Sequence, residues 1–401
     1  MRNIFKMKNQ VQNYAWGTRD FIAELKGEQV SAEPQAEMWM GAHPKASSDI
    51  VWEDNIKSLA SEIATHPNHF LGDMQIFDKE KKLPFLLKIL SAESALSIQA
   101  HPNKMQAEQG FARENRLGIS PNAAYRNYKD KNHKPELICA LTTFDAMCGF
   151  RPIGQIADFW QYQQIWPQQS QKFLQKPQAK GFQKLFLEML NLPQMKQQQL
   201  VLHTLQNLQP ARSKTEQSII DWMEKLNEKY PGDIGVLAPT YLNIINLQPG
   251  EALYLKAGIL HSYLQGSGIE IMANSDNVLR GGLTSKHIDI AELQKTLIFD
   301  FGVVKKLKIH QSQLQKIYPT PAQEFELSWQ KITKSGMENE VSGPEIILCI
   351  AGNVEVVDKI NQLKLSLKQA ESAFVCAAAD QYQLSGSGEI FRARIPAKDK
   401  S

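Results

Sequence analysis

One stretch of this chain is written twice. "PGEALYLKAGILHSYLQGSG" (residues 249–268) and "QAESAFVCAAADQYQLSGSG" (residues 369–388) align at an offset of 120 residues without a gap. Glu251 falls on Glu371, Tyr254 on Phe374, Ala257 on Ala377, Leu264 on Leu384, and one GSG on the other. Short apolar runs separated by small and polar residues read as strands joined by turns, at "QPGE", "KAG" and "GSG" in the first copy. Two copies of one strand–turn–strand unit constrain the chain to two related β-rich units. The copies differ where chemistry is concerned: His261 becomes Gln381 and Gly258 becomes Ala378. The apolar pattern survives and the histidine does not, so His261 has a role beyond making the strand.

The rest of the chain divides around this repeat. In residues 1–152, "LPFLLKIL" and "ALSIQAH" read as strands, and "KPEL" runs into the apolar strand "ICAL". From Ile153 the sequence turns glutamine-rich and helical in period. Phe182, Leu185, Phe186, Met189 and Leu190 share one helix face, as do Ile219, Trp222, Met223, Leu226 and Tyr230. This reads as a helical unit on its own small core, with the glutamines as solvated surface. The expected fold is mainly β with an α-helical insert. The expected units are 1–152 plus 239–308, the helical insert 153–238, and a C-terminal β-unit 309–401.

Charge and cysteine usage exclude several function classes. The net charge is +3, from 45 basic and 42 acidic residues, so nothing draws the chain to nucleic acid or a membrane surface. The N-terminus lacks the apolar run of a secretory signal, and no segment has the roughly 20 apolar residues of a bilayer span. Cys139, Cys148, Cys349 and Cys376 have no CxxC spacing and read as buried thiols in a reducing compartment. The expected location is the cytoplasm.

Chemistry centres on "SIQAHPNK". Gln99 and His101 are two apart, so on a strand their side chains share a face. Glu136 in "NHKPEL" and His261 in the first repeat are the other candidates. If the sheet closes into a barrel, the four form an N2O2 set suited to Zn²⁺, with a position left for water or substrate. The alternative is an ordinary strand-end histidine before a turn. A second polar stretch, "ANSDNVLRGGLTSKHID", holds Asp276, Arg280 and Lys286 beside Gly281 and Gly282. It suits a phosphate or a developing oxyanion. Taken alone, it reads as a solvated turn.

Together "YAWG", "AEMWMGAHPKASS", "QAHPNK", "NHKPEL", "FDAMCGFRP" and "AGILHSYLQGSGIEIMANSDNVLRGGLTSKHID" resemble the type I mannose-6-phosphate isomerase family, in the family's order from Tyr14 to Asp289. The resemblance implies a cupin-type β-barrel (jelly roll) catalytic domain, a helical domain and a second, degenerate cupin-like β-domain. It implies one Zn²⁺ per chain, a phosphosugar substrate and a cytoplasmic monomer. The implied reaction interconverts mannose 6-phosphate and fructose 6-phosphate, on the route to GDP-mannose. The family's zinc ligands fall on Gln99, His101, Glu136 and His261, and its active-site arginine on Arg280. Lys134, Lys286, Tyr263, Lys88, Ser97 and Glu270 fall in motifs around the substrate. For the proton-transferring base, Lys134, His101 and a water held by the metal all remain open, and His133 is either an aid to ring opening or a surface residue. The general cupin pattern is met in part: Gly250, Gly258 and His261 fit it, whereas Lys256 and Gln265 replace its proline and asparagine. The rival functions are an iron-dependent dioxygenase, which Gln99 in a histidine's place disfavours, and a sugar-binding protein without chemistry.

Overall fold

The structure is a computed structural model that describes residues 1–52, 55–72 and 81–396. Two large sheets, of ten and eleven strands, hold most of the strands, and a run of helices interrupts the sequence of the ten-stranded one between Phe144–Phe150 and Leu242–Leu247. The mainly β reading with a helical insert is therefore what the chain adopts. The four cysteines are free and buried, as their spacing implies.

The ten-stranded sheet is organised by one long strand, His261–Ala273. Its first residues pair with Phe144–Phe150, and its later ones with Phe85–Ala92 on one side and Glu136–Ala140 on the other. Glu136–Ala140 also pairs with Ala252–Leu255. The short strand Ile98–Ala100 joins His261 to Leu279–Gly282 through Gln99. "LPFLLKIL" is the strand Phe85–Ala92, whose residues are all buried, so continuous apolarity replaces alternation.

The GSG motif corrects the sequence reading. Gly266-Ser267-Gly268 is not a turn between strands but a bend inside one. Gly266 has φ +118, and a Cβ there would lie 2.5 Å from the Thr143 carbonyl oxygen. Only glycine accepts both that dihedral and that approach, which lets the strand change partners without ending. The second copy does the same. Gly386, 120 residues on, has φ +122 inside the strand Gln381–Arg394, and a Cβ there would lie 2.5 Å from the Asn353 carbonyl.

The repeat extends beyond the aligned motif. Glu136–Ala140 lies between Ala252–Leu255 and His261–Ala273, just as Glu345–Asp358 lies between Ser372–Val375 and Gln381–Arg394. Glu136 faces Leu255 across one ladder, and Glu345 faces Val375, which is Leu255 plus 120. Glu345 is fully buried. Arg392 grips it with two bonds, of 2.7 and 2.6 Å, and Tyr382 Oη donates a third of 2.8 Å. Sequence reasoning groups residues 1–152 with the site-bearing unit. In the structure, however, Ile4–Lys8 pairs with Ser372–Val375 and continues through Asp49–Trp52 to Asn55–Ser58, in the C-terminal sheet. No local pattern signals that exchange.

The helical segment runs through Ile153–Tyr162, Pro167–Gln175, Ala179–Leu190, Gln194–Gln206 and Lys214–Lys229 into the 3₁₀ stretch Ile234–Thr240. The two periodic faces read from sequence are buried except for Tyr230, which is half-buried and donates its hydroxyl to the Ala95 carbonyl. The expected separate core is not found. Phe182, Phe186 and Met223 belong to one cluster with Ile98, Ala100, Phe150 and Leu279, so the helices buttress the short strands beside the site. Asp233 adds a polar tie: its carboxylate accepts the backbone N–H groups of Leu283 (2.8 Å) and Thr284 (3.2 Å).

Gly266→Ala is expected to destabilise the protein by about 2–4 kcal/mol, because it combines left-handed strain with a backbone clash. Urea unfolding measures this, and a midpoint equal to the native one would refute the bend's role.

Candidate metal centre and active site

Three side chains from three strand ends converge in the interior. His101 follows Ile98–Ala100, Glu136 opens Glu136–Ala140, and His261 opens His261–Ala273. All three are buried, and one ligating atom of each lies within 4.8 Å of the others. His101 Nε2 is 3.4 Å from Glu136 Oε1, and His261 Nε2 is 3.3 Å from Glu136 Oε2.

Both rings are oriented from behind. His101 Nδ1 donates to the Asn277 carbonyl at 2.7 Å, and His261 Nδ1 to the Ile259 carbonyl at 2.9 Å. A carbonyl only accepts, so Nδ1 carries the proton and Nε2 presents its lone pair to the centre. His101 Nε2, Glu136 Oε2 and His261 Nε2 are buried and lack a hydrogen-bond partner. Three such atoms facing one another break the rule that buried polar groups are paired, and a divalent cation resolves the conflict. The residues therefore fit a metal of the zinc class.

Around this centre the sequence candidates fall into two groups. Gln99 is half-buried and pairs in register with both His261 and Arg280, so the three side chains share one side of the sheet. Lys134 is buried, with Nζ 2.7 Å from Glu136 Oε1. Deeper in the sheet, Lys88 pairs with Glu270 at 2.9 Å, and buried Tyr263 stands 6.2 Å, ring to ring, from His261. Ser97 is half-buried just before Ile98. Lys286 is exposed, on the loop beyond Arg280. Arg280 itself corrects the solvated-turn reading. It sits on the strand Leu279–Gly282, half-buried, and no side-chain hydrogen bond or ion pair among the described residues engages its guanidinium. Nor is His133 a free surface group: its Nε2 lies 2.5 Å from Glu324 Oε1.

Burial and charge work against each other here. Burial pushes the Glu136 carboxyl up, but Lys134 and His101 outweigh it and hold the group well below the usual range. Burial drives His101 down to about 4, against the pull of Glu136. Burial raises Glu270, with Lys88 opposing. Lys88 is raised in turn, because Glu270 and Glu37 overcome its own burial.

The chain matches the family model described as "Phosphomannose isomerase type I, catalytic domain" over residues 4–153. It is 38% identical to mannose-6-phosphate isomerase of Escherichia coli (strain K12) over 391 residues, 96% of this chain and 98% of that one. The chain belongs to the type I mannose-6-phosphate isomerase family. Among solved structures of the family, a mutant of phosphomannose isomerase from Salmonella typhimurium superposes with a TM-score of 0.90, at 37% identity. That comparison covers 99% of this chain and 100% of the other. A zinc-bound mannose 6-phosphate isomerase superposes with a TM-score of 0.89 at the same identity and coverage.

Against this family frame, some residues of the site escaped sequence reasoning. Glu37 accepts from Trp39 Nε1 at 2.7 Å and lies 3.4 Å from Lys88, whose ammonium stands 5.3 Å from the Trp39 ring centre. Glu37 and Trp39 are two apart on the strand Glu37–Met40, the same i, i+2 signal that singled out Gln99 and His101. Lys45 and Lys129 are a second omission. Burial lowers Lys129 and Lys286, and repulsion adds to this, Lys45 and Arg280 acting on both. Asp276 opposes the repulsion at Lys129 and lies 2.8 Å from Lys45 Nζ and 3.6 Å from His43 Nε2. No spacing rule links positions 45, 129, 280 and 286.

His43 supplies a pH test outside the metal triad. Burial lowers it from 6.5 to about 4, with Asp276 opposing. The unfolded chain protonates this ring below about pH 6.5 and the folded chain only near pH 4, so between them the unfolded state binds more protons. Stability is therefore lost as pH falls across that window, by on the order of 3 kcal/mol from this group. His43→Gln is expected to show a shallower loss than the native protein in urea titrations from pH 7 to pH 4. Parallel curves would contradict the buried neutral state.

Proposed function

We propose that this chain is a zinc-dependent aldose–ketose isomerase interconverting mannose 6-phosphate and fructose 6-phosphate. The observation that carries this reading is the convergence of three unpartnered ligating atoms at a buried centre, in a chain of this family. Gln99, His101, Glu136 and His261 hold the metal, with the amide oxygen of Gln99 completing the set. When bound, zinc supplies a Lewis acid that polarises the sugar's carbonyl.

The side chains do the rest. Arg280 offers paired N–H donors to the negative charge that develops on the sugar oxygens of a cis-enediol intermediate, and its constant charge makes it a stabiliser and not a base. His101 has no nitrogen left for proton transfer, since Nδ1 serves Asn277 and Nε2 the metal. Lys134 Nζ, within 3 Å of a ligand carboxylate, is the group assigned to move the proton between C1 and C2: it first gives up a proton, and the neutral amine then takes one carbon's proton and returns it to the other. Lys88, Glu270 and Tyr263 line the inner wall. The sugar's phosphate is assigned to Lys45, Lys129 and Lys286, with Ser97 as a hydroxyl donor, because a dianion relieves the repulsion among those cations.

The same reading extends to architecture. Two cupin-type jelly rolls are proposed, one built from 1–152 and 239–308, apart from the strands Ile4–Lys8, Asp49–Trp52 and Asn55–Ser58, with 153–238 inserted, the other from 309–401 completed by those N-terminal strands. The matched registers of Glu136 and Glu345 support the second as a degenerate copy, with Arg392 replacing a metal as the carboxylate's partner. A monomer in the cytoplasm is the expected state.

Two outcomes follow. Arg280→Ala is expected to lower kcat by about 10²–10³-fold in a coupled isomerase assay while zinc content stays at one per chain. Unchanged turnover would end the oxyanion role. Chelator treatment is expected to abolish isomerisation and zinc to restore it. Full activity after complete metal removal would overturn the zinc reading.

A further inference from the structure

Asn277 is completely buried, and every polar group of its side chain is spent on one neighbouring segment. Its Oδ1 accepts the backbone N–H groups of Lys129 (2.7 Å) and Asp130 (3.2 Å). Its Nδ2 donates to the carbonyls of Asp130 (2.9 Å) and Asn132 (2.8 Å). Its backbone carbonyl accepts the N–H of His101 Nδ1. Asp130 returns the bond from the other side: Oδ2 accepts the Asp276 N–H at 2.8 Å, and Oδ1 accepts Ser275 Oγ at 2.8 Å. Three pieces of the site meet here. They are the segment leading to Lys134 and Glu136, the segment leading to Arg280, and the ring of His101.

We infer that Asn277 is a positioning residue for the metal centre. It fixes the tautomer and aim of His101 through its carbonyl, and the approach of Lys134 and Glu136 through its amide. The inference rests on the zinc reading above. The chemistry selects an amide. The four backbone partners are two donors and two acceptors, and only a carboxamide offers both in one plane. Alanine leaves all four unpaired in the interior. Aspartate keeps the acceptor but sets oxygen against two carbonyls and the Asp130 carboxylate.

The test compares native protein, Asn277→Ala and the control Tyr382→Phe, which loses a buried hydrogen bond in the other sheet. Zinc affinity is measured by competition with a chromophoric chelator, and the visible spectrum of each cobalt-loaded protein is recorded. Asn277→Ala is expected to bind zinc about 10–100-fold more weakly and to show altered cobalt bands, because residues behind metal ligands tune affinity by that factor. Tyr382→Phe is expected to match native in both. Zinc affinity within threefold of native in Asn277→Ala overturns the inference, and so does an equal loss in the control. Should Asn277→Ala not fold, Ser275→Ala makes a smaller cut in the same clamp. It is expected to weaken zinc binding in the same direction, and native affinity there overturns the inference. A native protein that takes up no zinc overturns the zinc reading and the inference with it. Native zinc binding beside an unaffected variant overturns the inference alone.

Discussion

The site depends on one strand being long enough to serve two neighbourhoods. His261–Ala273 presents His261 and Tyr263 before its bend and Glu270 after it. Before the bend it borders Phe144–Phe150 and Gln99, and after it Lys88 and the strand that begins at Glu136. A straight strand would keep one set of partners along its length. The bend at Gly266 lets strands distant in sequence deliver side chains to a single place.

What collects there is electrostatically unbalanced. The buried set holds three carboxylates, Glu37, Glu136 and Glu270, against two ammonium groups, Lys88 and Lys134. Each buried charge is costly unless paired, and the pairs do not use every lone pair. The imidazoles face inward with acceptor nitrogens, which a hydrogen-bond donor or a metal can satisfy. At Arg280 the sign reverses, and cations cluster with few acids. On the function proposed above, an anionic sugar would meet the metal at one end and the neighbouring lysines at the other, with complementary charge at both.

Much of this was legible in the sequence, and the rest was hidden for identifiable reasons. His101 was singled out by its place two residues after Gln99, and it does lie with Glu136 and His261 at the buried centre, just past the end of its strand. His261 stood out because a second copy of its strand lacked it. The helix faces were legible because five apolar residues at helical spacing leave little choice. The GSG bend was misread because glycine marks turns and bends alike, and only the partner strands decide between them. The N-terminal strands' place in the C-terminal sheet depends on pairing across more than 300 residues. Lys45 and Lys129 resemble any surface lysine until folding sets them beside Arg280. The separate helical core failed because helical period reveals which face is buried but not what it is buried against.

The pair Glu345–Arg392 has a consequence for how the two halves depend on their surroundings. In the first sheet the carboxylate at this register pairs with Lys134 through one oxygen and turns the other, unpartnered, toward the imidazoles. In the second, the chain carries the carboxylate's partner as a side chain, held by two hydrogen bonds. Supply of metal can therefore govern one half and leave the other indifferent. A cell short of zinc would hold a protein whose C-terminal sheet, completed by the strand from residues 4–8, is already assembled. At matching registers, then, one carboxylate faces two imidazoles and the other is held by a guanidinium of the same chain.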